Sequence, residues 1–329
     1  MTNSLIPFSS TDALGRKVDY LRISVTDRCN ERCLYCLPAD FHDWLPRHRV
    51  LNVPEILAVA TVAVEHGVRR FRVTGGEPTA RKEIVEIVAG LAALPQVEHV
   101  SMTTNATRLK SLAQPLRDAG LTSLNISLDA LDSDKYQEIT SGNLATVLEG
   151  IDAAVEAGFQ IKLNTVLIRG RNDDQIPALI DFAEARNLLI RFIELMPVSL
   201  TEMLDESNFL PIAEVRRTLG ELIPIERSYG AGPAKYFRLA GRRAIVGFIG
   251  ALTDLHFCER CNKMRLTCEG QLRPCLGNHA ETDLTPALRP TINVEKLRQL
   301  YMQTLATKPA EHLFRENYQP GRVMTAIGG

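Results

Sequence analysis

The chain has 329 residues, 45% of them hydrophobic and 23% charged, and a formal net charge of −1. That is an ordinary globular composition with length for a large domain and a smaller one, and near-neutrality leaves no overall field to draw the chain onto nucleic acid or a membrane. The opening MTNSLIPFSSTDALGRK lacks the apolar core of a signal peptide, and no run approaches the roughly 18 apolar residues of a membrane span, so a cytoplasmic protein is expected.

From residue 20, short β-branched or apolar runs alternate with longer stretches of helical spacing. Strands are predicted at residues 20–26, 69–76, 99–105, 123–129, 160–168 and 188–197. The first helix should follow Asn52 as N-cap, carry Pro54 in its first turn, run to about His66 and stop at Gly67. Later helices end near Pro95, Gly120 and Gly158, and the last covers residues 173–187. Such alternation implies a parallel sheet with right-handed crossovers. Six units are too few for a complete eight-stranded barrel. An α/β fold is therefore expected over residues 1–204, a partial TIM-type (β/α)6 barrel or strongly curved open sheet, with a flat doubly wound sheet as the alternative. In either architecture ligands gather at the C-terminal ends of the strands, where CNERCLYC, GGEP, TTN, SLD and ELMP lie.

After about residue 205 the alternation stops. A helix is predicted over 211–222, then a hairpin in YFRLAGRRAIVGFIG turning at Ala240-Gly241. A second hairpin in RLTCEGQLRPC turns at Glu269-Gly270, and a helix over 293–306 precedes the tail Ile327-Gly328-Gly329. Residues 205–329 are read as a smaller C-terminal α+β region packed on the barrel mouth.

The seven cysteines fall in two groups: Cys29, Cys33 and Cys36, then Cys258, Cys261, Cys268 and Cys275. In a reducing compartment two such groups read as two metal sites. Three thiolates on a tight loop after a strand can hold three irons of a [4Fe–4S] cubane and leave the fourth open. A zinc site completed elsewhere, for instance by His42, remains an alternative for the first group, and a zinc ribbon for the second. Arg22, Arg72 and Lys162 interrupt otherwise apolar strands, where a cation needs an anionic partner. Converging inside a barrel, they would form a polyphosphate clamp.

The spacing CxxxCxxC, with Tyr35 before the last cysteine, and the segment Gly75-Gly76-Glu77-Pro78 resemble the signature of the radical S-adenosylmethionine (SAM) enzymes. The wider set LRISVTDRCNERCLYC, RVTGGEPT, TTNATRL, NISLDALD, IKLNTV, RFIELMP, the CxxCN and LRPCL blocks and the terminal Gly-Gly is similar to the GTP 3′,8-cyclase family over nearly the whole chain. The resemblance implies two [4Fe–4S] clusters, on Cys29, Cys33 and Cys36 and on Cys258, Cys261 and Cys275. It places SAM contacts on Tyr35, Gly76, Ser127 and Met196. GTP contacts fall on Arg22, Arg72, Thr103, Lys162, Lys263, Met264 and Arg265, and an active-site tail on Gly328 and Gly329. The implied reaction joins ribose C3′ of GTP to guanine C8, the first step of molybdopterin synthesis. It implies a low-potential electron donor and hand-over to the next enzyme of that pathway, with no nucleic-acid or membrane partner; monomer and homodimer stay open. Lys263 stands where the family has arginine, which keeps the charge and loses the planar fork. Cys268 is an additional cysteine, read as a surface or packing thiol. A peptide-modifying maturase and a non-catalytic iron–sulfur electron carrier are the competing functions.

Overall fold

The computed structural model describes residues 10–201, 203–316 and 318–328. The six predicted strands form: β1 (Tyr20–Ser24), β2 (Arg70–Thr74), β3 (His99–Thr104), β4 (Ser123–Ser127), β5 (Gln160–Leu167) and β6 (Leu189–Glu194). Their crossovers carry α1 (Val53–Glu65), α2 (Ile84–Ala92), α3 (Leu109–Asp118), the pair α4 (Ser133–Thr140) and α5 (Leu144–Glu156), and α6 (Ile176–Ala185). Helix α1 begins as its sequence dictates. Asn52 accepts a hydrogen bond from the Glu55 N–H at 2.9 Å, and the Glu55 carboxylate accepts one from the Asn52 N–H at 2.7 Å, a reciprocal cap.

Strands β1 to β6 pair in sequence order, all parallel. Alternation sends each side chain to one of two faces. Leu21, Ile23, Phe71 and Val73 point outward into a core shared with α1 and α2 and are fully buried. At roughly 1.5–3 kcal/mol for each large apolar side chain, that outer layer is the main source of stability. The opposite parity, Tyr20, Arg22 and Arg72, faces inward.

The C-terminal region contributes β7 (Leu222–Ile225), β8 (Lys235–Leu239), β9 (Ile245–Ile249), β10 (Lys263–Leu266), β11 (Gln271–Arg273) and β12 (Thr282–Asp283). Both predicted hairpins form, β8 with β9 and β10 with β11. Their placement is a finding. Strand β10 adds in parallel beside β1 and β9 in parallel beside β6, giving the order β12-β11-β10-β1-β2-β3-β4-β5-β6-β9-β8-β7. Eight parallel strands result, flanked by antiparallel strands, so both edges of the six-stranded unit are covered. The sheet wraps one central cavity reached by strands from β10 to β9, with no pairing between those two. It is a partial barrel.

The helix predicted over 211–222 is shorter: α7 spans Ile212–Thr218. Gly220 at φ +73° lets the chain turn away, and Leu222–Ile225 becomes β7 against β8. Helices α8 (Thr285–Leu288), α9 (Val294–Ala306), which packs on α1, and α10 (Met324–Ile327) follow. No helix among the described residues is long and apolar enough to cross a membrane.

Candidate active site

The first cysteine loop leaves β1 and is held down by GGEP. The Gly76 N–H donates to the Thr26 carbonyl at 2.7 Å, and the Glu77 N–H to the Arg28 carbonyl at 2.8 Å. A Cβ on Gly75 would lie 2.4 Å from the Thr26 oxygen, and one on Gly76 2.2 Å from the Arg28 oxygen. Only glycine permits that approach. The buried Glu77 carboxylate then accepts hydrogen bonds from the Thr104 hydroxyl and the Asn105 N–H, both at 2.8 Å, which ties the β2 and β3 loops together. Farther along, the Arg32 and Leu34 N–H groups donate to carbonyls at the end of α4.

Cys29, Cys33 and Cys36 are half-buried and close enough to influence one another electrostatically. Enclosure pushes the Cys29 thiol up to about 12 and raises those of Cys33 and Cys36 as well, and the neighbouring carboxylates add to the effect: Glu77 and Glu31 at Cys29, Asp129 and Glu31 at Cys33. Tyr35 donates its hydroxyl proton to Asp129 Oδ2 at 2.7 Å, and Asp129 Oδ1 accepts from the Val166 N–H at 2.8 Å. Burial raises Asp129 to about 6. Tyr35, Ser127 and Met196 reach the central cavity, whereas Gly76 lies outside its lining.

That cavity measures about 1000 Å³. On one wall Arg265, Arg22 and Arg72 sit side by side on β10, β1 and β2. Arg72 also bonds the Tyr20 hydroxyl and, at 3.4 Å, the Thr103 hydroxyl. Arg191 on β6 donates to Asn164 Oδ1 at 2.8 Å. Lys162 on β5 stands just behind the lining, its Nζ facing Gly230. Desolvation, and then repulsion from Arg191 and Arg72, lowers Lys162 to about 8. Arg191 falls to about 10, chiefly through burial, and Arg22 well below its usual range through enclosure and the neighbouring arginines. The strongest electrostatic neighbours of these three are arginines and tyrosines; no carboxylate is among them. Such a group favours an anion. Met264 is different: strand parity turns its side chain outward into the main core, away from the cavity.

Cys258, Cys261 and Cys275 all line this cavity. Burial raises Cys258, with Cys275 and Cys261 adding to the shift, and burial likewise raises Cys275. At Cys261 burial is outweighed by Lys308 and Lys263, and the thiol is lowered. Cys268 is elsewhere. It is wholly buried at the β10–β11 turn, its carbonyl accepts from the Leu51 N–H at 2.7 Å, and burial pushes its thiol up to about 12. It is a packing thiol and not a surface one.

No three His, Cys, Asp or Glu side chains among the described residues are gathered tightly enough to hold a single metal ion. A lone zinc draws its sulfurs in at about 2.3 Å, whereas a four-iron cubane takes one thiolate per iron and spreads them wider. Two trios of mutually sensed, half-buried thiols fit the larger group.

The tail ends inside the barrel mouth. Gly328, at φ +82°, would carry a Cβ 2.9 Å from both Ser24 Cβ and Thr74 Cγ2, and Arg265 donates to its carbonyl at 2.7 Å. Ser199 bonds the Cys36 carbonyl at 2.5 Å and accepts from the Met324 N–H at 3.2 Å, which joins α10 to the first cysteine loop. Gly329 lies outside the described residues. Arg191, Tyr20, Asn164 and Lys308 are site residues that the sequence reading missed. Arg191 alone carried a legible signal, a charge interrupting an apolar strand.

The family model described as the Radical SAM superfamily matches residues 23–183, and that described as Molybdenum Cofactor Synthesis C matches 188–314. In fold the chain is similar to Streptococcus suis SuiB bound to its precursor peptide SuiA, with a TM-score of 0.63 at 17% identity, covering 87% of this chain and 66% of that one. SuiB bound to SAM gives the same TM-score at 18% identity over 85% and 64%. At such identity the likeness speaks for the fold alone. Fold and matched segments together define a radical SAM enzyme. Full-length relatives narrow it: GTP 3′,8-cyclase of Pelotomaculum thermopropionicum is 43% identical over 97% of this chain and 99% of its own, and that of Pseudomonas putida 45% identical over 97% of each. The chain belongs to the GTP 3′,8-cyclase family and is an enzyme of that type. Membership implies a [4Fe–4S] cluster and SAM.

Proposed function

We propose that the protein converts GTP to (8S)-3′,8-cyclo-7,8-dihydroguanosine 5′-triphosphate, the first step of molybdopterin formation. The observation that carries this reading is the group of cations, Arg22, Arg72, Arg191 and Arg265, that shares one cavity with Tyr35 of the first cysteine loop and with Cys258, Cys261 and Cys275. When bound and reduced, a first cluster with SAM would supply the radical chemistry for hydrogen abstraction at the ribose C3′. Cys29, Cys33 and Cys36 would hold that cluster, and Tyr35, Gly76, Ser127 and Met196 would seat SAM, Gly76 through its backbone. Cys258, Cys261 and Cys275 hold a second [4Fe–4S] cluster toward guanine. Arg22, Arg72, Thr103, Lys162, Lys263 and Arg265 receive the triphosphate, and Arg191 adds its charge. Met264 contributes only main chain, since its side chain is in the core. Residues 1–204 thus carry the radical chemistry and most of the triphosphate grip, and 205–329 the auxiliary cluster and the rest of that grip, Lys263 and Arg265. Gly328 closes the barrel mouth over the substrate. A cytoplasmic low-potential donor supplies the electron, and the next enzyme of the pathway takes the product.

Anaerobic reconstitution should give about eight irons per chain. With dithionite, SAM and GTP it should yield 5′-deoxyadenosine and a GTP-derived isomer, separable by chromatography before mass spectrometry. Deoxyadenosine without that isomer would refute the cyclase reading. Deleting Gly328 and Gly329 should lower the isomer yield while the iron content holds.

A further inference from the structure

Lys308 follows α9 in the stretch ATKPAEH, a setting in which lysine ordinarily lies in solvent. Here it is 4% exposed. Its Nζ donates to the main-chain carbonyls of Lys263 and Pro274, each at 2.7 Å, and to Cys261 Sγ at 3.5 Å. All three donors of the ammonium are engaged, and none of the three partners is a carboxylate. Lys263 lies two residues past Cys261, and Pro274 immediately precedes Cys275. One ammonium therefore ties the start of β10 to the chain beyond β11 and fixes the separation of two of the three thiols. Arg16 does the same for the third: it donates to the Cys258 carbonyl at 3.2 Å, to the Ala310 carbonyl at 2.9 Å and to the Pro309 carbonyl at 2.6 Å. The residues on either side of Pro309 are thus drawn onto both cysteine segments.

A buried ammonium satisfied by two carbonyls and a neutral thiol keeps its charge uncompensated, which is costly unless an anionic group completes the site. Thiolates bearing a cluster are such a group. We propose, on the reading that Cys258, Cys261 and Cys275 hold a second cluster, that Lys308 is the positioning residue of that cluster. It sets the spacing of Cys261 and Cys275, directs a hydrogen bond and a positive charge at the Cys261 sulfur, and raises the reduction potential of the bound cluster. Net charge and hydrogen bonds to sulfur are the protein's levers on that potential, and such outer partners hold ligands in place.

The test uses the reconstituted full chain, with iron and sulfide analysis and an EPR-monitored redox titration of each cluster. Lys308→Met should lose the second cluster's iron or hold that cluster at a more negative midpoint potential, with the first cluster's iron unchanged. Lys308→Arg, which keeps the charge, should restore both. A Lys308→Met protein with both clusters and a wild-type potential at the second overturns the assignment. A wild-type chain that binds no more than four irons overturns the second cluster and the lysine's role together, so the two failures are distinguishable. Should Lys308→Met also lose the first cluster, the sign that it has not folded, Lys308→Gln decides. It keeps a donor for the carbonyls and must show the lower potential, and a wild-type potential there overturns the assignment.

Discussion

The second cysteine trio lines the central cavity, the first loop reaches it through Tyr35, and the two trios differ in the charge around them. The first sits on a loop clamped by Gly75 and Gly76, and its thiols are surrounded by Glu31, Glu77 and Asp129, so enclosure and like charge both disfavour ionisation. The second flanks the hairpin of β10 and β11, which extends the sheet beside β1. Glu311 is felt at Cys258, but Lys308 and Lys263 dominate at Cys261, and Lys308 and Arg265 favour the thiolate at Cys275. On the proposed assignment that contrast matches the ligands. SAM brings a sulfonium cation to the acidic end, and GTP brings a polyphosphate to the basic one. Polarity, more than cysteine spacing, separates the two roles.

The most severe way to break that contrast is to remove one thiol at each end. Cys33→Ser should abolish SAM cleavage and leave roughly half the iron, since only one cubane is lost. Cys275→Ser should also lose about half the iron, yet still cleave SAM while forming no cyclised product. Iron analysis beside quantified 5′-deoxyadenosine separates the two. Matching losses of SAM cleavage in both variants would mean that the trios are not functionally distinct.

A more graded change acts on the basic wall. Lys162→Met should weaken GTP binding by about one to two decades, the worth of a charge-assisted hydrogen bond of roughly 1.5–3 kcal/mol. Guanosine, which has no phosphate, should be little affected. Equilibrium binding of both ligands checks it, and equal losses would mean that Lys162 supports the fold rather than the phosphates.

The six βα units were legible because strand parity and helix caps are local: Asn52 and Glu55 announce α1, and Gly67 ends it. The hairpins were legible for the same reason. That β10 would pair with β1 and β9 with β6 was not, because parallel pairing of distant segments leaves no local pattern. Within the site, Arg22, Arg72 and Lys162 betrayed themselves as charges inside apolar strands. Arg191, in RFIELMP, carries the same signal, a charge inside an apolar strand. Met264 is a different case: strand alternation sends the middle side chain of Lys263-Met264-Arg265 to the other face, which leaves its main chain for the proposed contact. Lys308 gave no sign, since its burial comes from packing that only the folded chain reveals.

The smallest effect expected is a proton. Lys162 at about 8 lies below its usual 10.5, and Tyr20, where burial is outweighed by Arg72 and Arg22, lies at about 8 against 10.0. From about pH 8 to 10 the unfolded chain therefore binds protons that the ligand-free fold does not, and stability rises with pH through that window. The Lys162 contribution is a cost, present in full below pH 8 and gone above 10.5; the Tyr20 contribution is a gain that is lost as pH falls through 8. A triphosphate laid among these groups stabilises the ammonium and destabilises the phenolate, so both pKa values rise and binding takes up protons. The phosphate's own second ionisation, near pH 6, is complete at pH 8.5 and contributes nothing there. Calorimetry of GTP binding at pH 8.5 in two buffers of different ionisation enthalpy should show net uptake of a fraction of a proton to about one. Lys162→Met should reduce it. No uptake, or release, would mean that the triphosphate does not lie against Lys162 and Tyr20, and the basic end of the cavity would then need another occupant.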